Sequence, residues 1–368
     1  MDRIAGIINL DHEQDLLDEL TYFRCGAAVP FAGRYRMIDF AVSNMANSRI
    51  ESVAVFARRK YRSLMDHLEQ GKAWDLDRKR GGMFILPPDW NDPTDISKGD
   101  LQHFHNNLDF LHRAWADYIL VSGSQNICNI DFQEVLKEHK EVDADVTVVY
   151  NRVDELYPEY QLAHKLEIDQ NSRVTGIHND HSSINVYIDM YLVKKDLMIE
   201  LIEQCIAHGG SHFFLDGIKA KLAELHIHAY EYEGTHALVN SVESYYRNSC
   251  KLLEADQHDG LFGNEAPIFT KVKNEAPSKY LPSSEVTNTL VANGCVIEGQ
   301  VEDSILFRGV KIGEGAIIKN SIIMQRCEIE PNAVLENVIL DKDCKISAGR
   351  TLIGAPEKPF VVPKRKSM

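Results

Sequence analysis

Up to about residue 255, short apolar or β-branched runs alternate with amphipathic stretches, the pattern of a parallel sheet covered by helices. The runs predict strands over 5–9, 52–56, 118–122, 146–150, 165–169 and 186–193. Helices are predicted over 37–47, 63–70, 101–116, 131–140, 195–207 and 217–225. Asp131 with Glu134 three residues on has the spacing of a capping box at the start of one of them.

Residues 262–285 carry Pro267, Pro277 and Pro282 among polar residues, which suits an extended crossing segment. From Asn288 the texture changes. Aliphatic side chains recur at Ile312, Ile318, Ile323, Ile329, Leu335, Leu340 and Ile346, six or five residues apart, with Gly, Asn and Asp at the corners. Neither a helical nor a strand period fits. A hexapeptide β-solenoid does, because each three-sided coil takes about three such repeats and stacks its inward aliphatics; a sandwich of short strands is the competing reading. The expected division is an α/β domain over 1–260, a linker over 261–287 and a β-helix over 288–368.

With 368 residues, 44% apolar and 26% charged, the composition excludes disorder and collagen-like structure. No apolar run reaches the roughly 18 residues of a bilayer span, and the apolar part of MDRIAGIINLDHEQ is too short for a signal peptide, so a cytoplasmic protein with no membrane partner is expected. A formal charge of −15 argues against nucleic acid as a partner. The seven cysteines are scattered without a C-x-x-C and read as reduced, packed thiols.

Residues 29–50, VPFAGRYRMIDFAVSNMANSRI, resemble almost residue for residue the glucose-1-phosphate adenylyltransferases, which make ADP-glucose. Residues 304–324, SILFRGVKIGEGAIIKNSIIM, and 334–346, VLENVILDKDCKI, are similar to that family's solenoid. The resemblance implies a Rossmann-like α/β nucleotidyltransferase domain followed by a left-handed parallel β-helix of hexapeptide repeats.

An active member of that family holds the nucleotide triphosphate on a G-G-x-G-x-R-L loop after its first strand. Here that place reads Ile7-Ile8-Asn9-Leu10-Asp11-His12-Glu13, whose acids repel a triphosphate. The lysine of the family's R-A-K-P-A-V is Gly26, and its G-T-A-x-A turn is matched by Gly99-Asp100-Leu101-Gln102-His103, keeping only the glycine. Nucleotidyl transfer needs carboxylates to hold Mg²⁺. The aspartate of L-x-G-D-H is Ser124, and after Ser211-His212 the aspartate of D-F-G-x-D is Phe213. In the sugar-phosphate pocket, glutamate-lysine-proline becomes Ile177-His178-Asn179-Asp180, S-M-G-I-Y becomes Tyr187-Ile188-Asp189-Met190-Tyr191, and D-V-G-T becomes Leu238-Val239-Asn240-Ser241.

The losses fall on substrate and metal positions and the matches on packing segments. The resemblance therefore implies a noncatalytic companion subunit, with catalytic positions lost at Gly26, Ser124 and Phe213, no metal ligands and no cofactor of its own. It would pair in a heterotetramer with an active glucose-1-phosphate adenylyltransferase subunit, whose Mg²⁺ supplies the chemistry. Three alternatives stand beside it: an active nucleotidyltransferase with metal ligands rearranged onto Asp216, Asp189 or Asp11, a sugar-phosphate-sensing homo-oligomer, and a hexapeptide acyltransferase. The last needs a histidine in or beside the solenoid, and none follows His258.

The family's sugar-phosphate effectors bind where arginine forks can grip phosphate. Arg24, Arg34 and Arg36 inside the family-like segment, and Arg58, Arg59 and Lys60, are the anion-binding candidates; ion pairs within the fold would use them equally well. Arg62 and the run Arg78-Lys79-Arg80 add local positive charge. The pairs His103 with His105 and His226 with His228 lack a third ligand at metal spacing. Tyr245, Tyr246 and Trp115 read as core or interface packing.

Overall fold

Six consecutive buried residues, IAGIIN at Ile4–Asn9, form the central strand of a nine-stranded sheet. A strand covered on both faces needs this near-continuous apolar run. Tyr118–Ser122 and Ser52–Phe56 pair with it in parallel, one on each side, and Gly82–Leu86 continues the parallel array to an edge. Beyond Tyr118–Ser122 the sheet turns antiparallel at Asn185–Lys194, which also pairs with Val146–Arg152 and Lys165–Ile168. The computed structural model describes every residue except 1, 2, 12, 14, 15, 88–98, 181, 182, 264 and 265.

The sheet and its helices make one unit, Met1–Gln14, Phe40–Leu238 and Glu265–Phe269. The strands Gly82–Leu86, Val174–His178 and Ile227–Glu231 were not expected; each is only five residues long, and two of them contain a glycine that breaks the apolar signal. The helix expected over 101–116 is two, Leu101–Asn106 and Leu108–Arg113. Asp131 caps Phe132–Glu141 by accepting from the Gln133 amide at 2.8 Å. The reciprocal capping box lies instead at Ser241 and Ser244. Where 217–225 was expected to be helical, the chain makes a π-helical turn at Phe213–Ile218 and a short 3-10 turn at Lys219–Lys221. No helix among the described residues is long and apolar enough to cross a membrane.

The second unit comprises Asp15–Asp39, Val239–Asn264 and Thr270–Met368. Its body is three sheets of five parallel strands each, the hexapeptide β-helix. Ile312, Ile329 and Ile346 stack in one sheet, Ile318, Leu335 and Leu352 in the next, and Ile323 and Leu340 in the third. The spacing of six or five residues is thus the step from one sheet to the next. From Gln300 to Ile353 a full coil takes 17 residues, as the buried ladder Ser304, Ser321 and Val338 shows, whereas the coil that sets Val296 beside Lys311 takes 15. The solenoid starts at Lys279, whose strand pairs with Val296–Ile297, ahead of the expected 288.

The segments 15–39 and 239–264 fold with the solenoid rather than with the sheet, which the expected boundary at 260 did not foresee. Helix Val242–Lys251 carries buried Tyr245 and Tyr246. Tyr245 donates to the Pro30 carbonyl at 2.8 Å, and Tyr246 donates to the Asn320 carbonyl at 2.5 Å. Val29, Phe31, Met37 and Ile38 are fully buried. The family-like stretch therefore carries much of this unit's packing.

Candidate functional site

In open α/β sheets ligands sit beyond the carboxyl ends of the strands. Here that region is filled by the chain's own side chains. Asn9, the last residue of the central strand, donates to Asp100 at 2.6 Å, and the other Asp100 oxygen accepts from the Phe213 amide at 2.9 Å. Asp11 pairs with Arg58 at 3.1 Å and with His103 Nδ1 at 2.7 Å. The His103 ring stacks on Phe56, with centroids 4.4 Å apart, and its Nε2 faces the Leu86 carbonyl at 3.0 Å. Arg58 also donates to the Gly99 carbonyl at 2.8 Å. His12 lies outside the described residues.

Glu13 completes the filling. One of its oxygens accepts from the Ser124 amide and the other from the Ser124 hydroxyl at 3.0 Å. A carboxylate bound by an amide and a hydroxyl occupies donors of the kind that hold phosphate oxygens. Gly99 persists for a local reason. Its φ is +62°, and a Cβ there would collide with the Ser211 carbonyl and the His212 ring.

The segments that the resemblance matches to the sugar pocket bring several rings together. Tyr187 stacks on Phe214 with centroids 4.5 Å apart, and His164 lies 5.7 Å from the same Phe214. Burial pushes the His164 pKa down and the Tyr187 and Tyr191 hydroxyls well up. Asp189 has a φ of +59°. Aspartate tolerates that left-handed conformation better than most residues. Its carboxylate lies against Gly123, where an added Cβ would sit 2.5 Å from Oδ2.

The six anion-binding candidates divide between the units. Arg24, Arg34 and Arg36 belong to the solenoid unit, whereas Arg58, Arg59 and Lys60 belong to the sheet unit. Arg24 is buried and pairs with Asp341 at 2.5 Å. Close by stand Arg36, Lys342 and Lys364. Burial, then the charges of Arg36 and Arg24, push the Lys342 ammonium down to about 6, and burial with Arg365 and Arg24 lowers Lys364. Arg34 lies over the Tyr35 ring at 5.3 Å and faces Arg308, whose guanidinium burial and Arg34 together disfavour. Arg58 is engaged by Asp11 and Gly99, as above, and Arg59 is exposed. The sequence reading missed Lys342, Lys364 and Arg308, although Lys342 sits inside the quoted VLENVILDKDCKI.

Residues 16–162 match the nucleotidyl transferase family model, and residues 276–358 match the model for the C-terminal hexapeptide region of GlmU-like proteins. The chain is 40% identical over 317 residues to the glycogen biosynthesis protein GlgD of Bacillus subtilis, covering 86% of this chain and 83% of that protein. It is 42% identical over 317 residues to GlgD of Geobacillus stearothermophilus, with the same coverage. The chain belongs to the glucose-1-phosphate adenylyltransferase family, alongside the GlgD proteins. The glucose-1-phosphate adenylyltransferase of Geobacillus stearothermophilus is 32% identical over 300 residues, covering 79% of this chain and 77% of that enzyme.

An active adenylyltransferase of this family brings carboxylates to Mg²⁺, and the residues here do not fit that ion. Ser124 offers a hydroxyl already bound to Glu13. Phe213 is fully buried between Phe104 and Tyr191. Asp216 accepts from the Ser211 and His212 amides at 2.7 and 2.9 Å. Burial opposes its ionisation, but those two bonds hold its carboxyl below the usual range. Asp11 is held by Arg58 and His103, and Asp100 by Asn9 and Phe213. Among the described residues, no group of three or more His, Cys, Asp or Glu side chains is arranged to hold a metal. His228, one of the histidines flagged on sequence, instead bonds Glu138 at 2.7 Å.

Proposed function

We propose that this chain is a catalytically degenerate, regulatory subunit of glycogen biosynthesis. It would assemble with an active glucose-1-phosphate adenylyltransferase into a heterotetramer and tune that partner's conversion of ATP and glucose 1-phosphate to ADP-glucose. The observation that carries this reading is the filled pocket. Glu13 bonds Ser124, and Asp11 bonds Arg58 and His103, in the space that the resemblance assigns to the triphosphate. The likeness to GlgD proteins, named for glycogen biosynthesis, supports the metabolic assignment.

The regulatory half rests on the solenoid unit. Arg24, Lys342 and Lys364 lie together there around Asp341, and Lys342, whose ammonium burial disfavours, takes up its proton as an anion docks, which suits a sugar-phosphate effector. The test of assembly is the native mass of this chain co-expressed with an active subunit of the same organism. A mixed tetramer supports the proposal, and two separate homo-oligomers contradict it.

A further inference from the structure

We propose that a second cleft in the sheet unit, at the opposite ends of the strands from the filled pocket, binds a small phosphate ester that carries a planar ring, of which a nucleoside monophosphate is an example. The cleft opens where three parallel strands begin. Arg3 precedes Ile4, Glu51 precedes Ser52 and Gly81 precedes Gly82, whereas Asn9 of the filled pocket closes the first of these strands. Its volume of about 890 Å³ lies within the range of small-molecule sites.

The lining has two chemistries. The wall is apolar and aromatic: Phe84 and Phe110 meet edge to face with centroids 5.6 Å apart, and Leu86 and Ala114 extend the surface. Trp115, expected to pack into a core or an interface, is not in the core: it is 75% exposed at the cleft, with the Arg3 guanidinium 3.0 Å over its ring. The rim is cationic. Its two carboxylates are already neutralised, Glu51 by Arg78 at 2.5 Å and Asp109 by Arg113 at 3.0 Å. Arg49 and Arg80 are exposed and pair with no carboxylate among the described residues.

In a chain with a formal charge of −15, two arginines that pair with no carboxylate among the described residues, at the mouth of an aromatic cleft, are matched by an anion. Guanidinium groups grip phosphate bidentately, and they stack on flat rings as Arg3 already does. The aromatic wall gives such a ring a face or edge to contact, which a free sugar phosphate would not use. The inference does not depend on the regulatory role proposed above, since the cleft shares with the filled pocket only Leu86, whose carbonyl faces His103, and takes no residue from the solenoid.

The test is calorimetric titration of the full-length chain, in phosphate-free buffer, with UMP and GMP. Uridine supplies the ring without charge, and inorganic phosphate the charge without the ring. The expected result is saturable binding of at least one nucleotide, tighter than either control. Arg49→Ala and Arg80→Ala, both at exposed positions, should each weaken it about ten-fold, and Lys358→Ala, at an exposed position of the solenoid unit, should leave it unchanged. Absence of saturable nucleotide binding overturns the proposal. So does equal affinity for uridine or for inorganic phosphate, or affinity that neither arginine variant alters.

Discussion

Glu13 holds Ser124 at both its backbone amide and its hydroxyl, across 111 residues of sequence. The resemblance to the family's active members assigns a metal-binding aspartate to position 124, where a serine now receives the Glu13 carboxylate. Putting the aspartate back therefore sets two acids against each other. Ser124→Asp is expected to lower stability by about 1–3 kcal/mol, as for a buried group left without its partner, and to restore no ADP-glucose synthesis. Thermal denaturation and a product assay check both parts. Glu13→Gln in the same background should recover stability while leaving the chain inactive.

Phe213 makes the second loss harder to reverse. It is fully buried, 5.3 Å from the Phe104 ring and 6.1 Å from Tyr191. Phe213→Ala should cost about 3–5 kcal/mol, and Phe213→Asp more, because it adds an unpaired charge to the cavity. Urea unfolding of the two variants against the parent measures this order.

Arg24 and Asp341 are 4% and 1% exposed and lie 2.5 Å apart. Replacing Arg24 with methionine strands a buried carboxylate that keeps only local bonds such as that from the Lys342 amide at 2.6 Å. The expected loss is about 3–5 kcal/mol, read from the denaturation midpoint. A purely surface role for Arg24 in anion capture would leave the midpoint unmoved.

Lys342 gives the solenoid unit a pH dependence whose sign is fixed. Its folded-state pKa, near 6, lies below the 10.5 of a free lysine, so between those values the unfolded chain holds a proton that the folded one lacks. Stability therefore rises with pH across that window, and Lys342→Met should flatten the slope. An anion that docks beside Arg36 and Lys342 favours the protonated ammonium. Sulfate, which does not titrate near neutrality, should bind more tightly at pH 6.5 than at pH 8.5, with proton uptake visible as buffer-dependent heat.

Much of the fold was legible because it is written in local periods. Ile312, Ile318 and Ile323 announce a solenoid by their spacing alone, and a buried central strand must read as IAGIIN. The assignment of residues 15–39 to the solenoid unit was not legible, since it depends on long-range packing such as Tyr245 on Pro30, 215 residues apart. The site was half legible. The reading of Gly26, Ser124 and Phe213 as lost catalytic positions rests on the family resemblance alone. Nothing in the spacing of Asp11 or Glu13 announced that these acids would bond Arg58, His103 and Ser124, because those partners meet only when several strand ends converge. Arg58 shows the consequence: read as an anion-binding candidate, it already holds an internal carboxylate.

The central claim is that the filled pocket leaves this chain without turnover of its own and useful only through a partner. The measurement that tests it most directly is steady-state ADP-glucose formation from ATP, Mg²⁺ and glucose 1-phosphate by three samples: this chain, an active adenylyltransferase subunit of the same organism, and the two co-assembled. The predicted result is no turnover by this chain alone and a changed rate or effector response in the mixture. Ordinary turnover by the purified chain alone, abolished by changing Asp189 or Asp216, would contradict it.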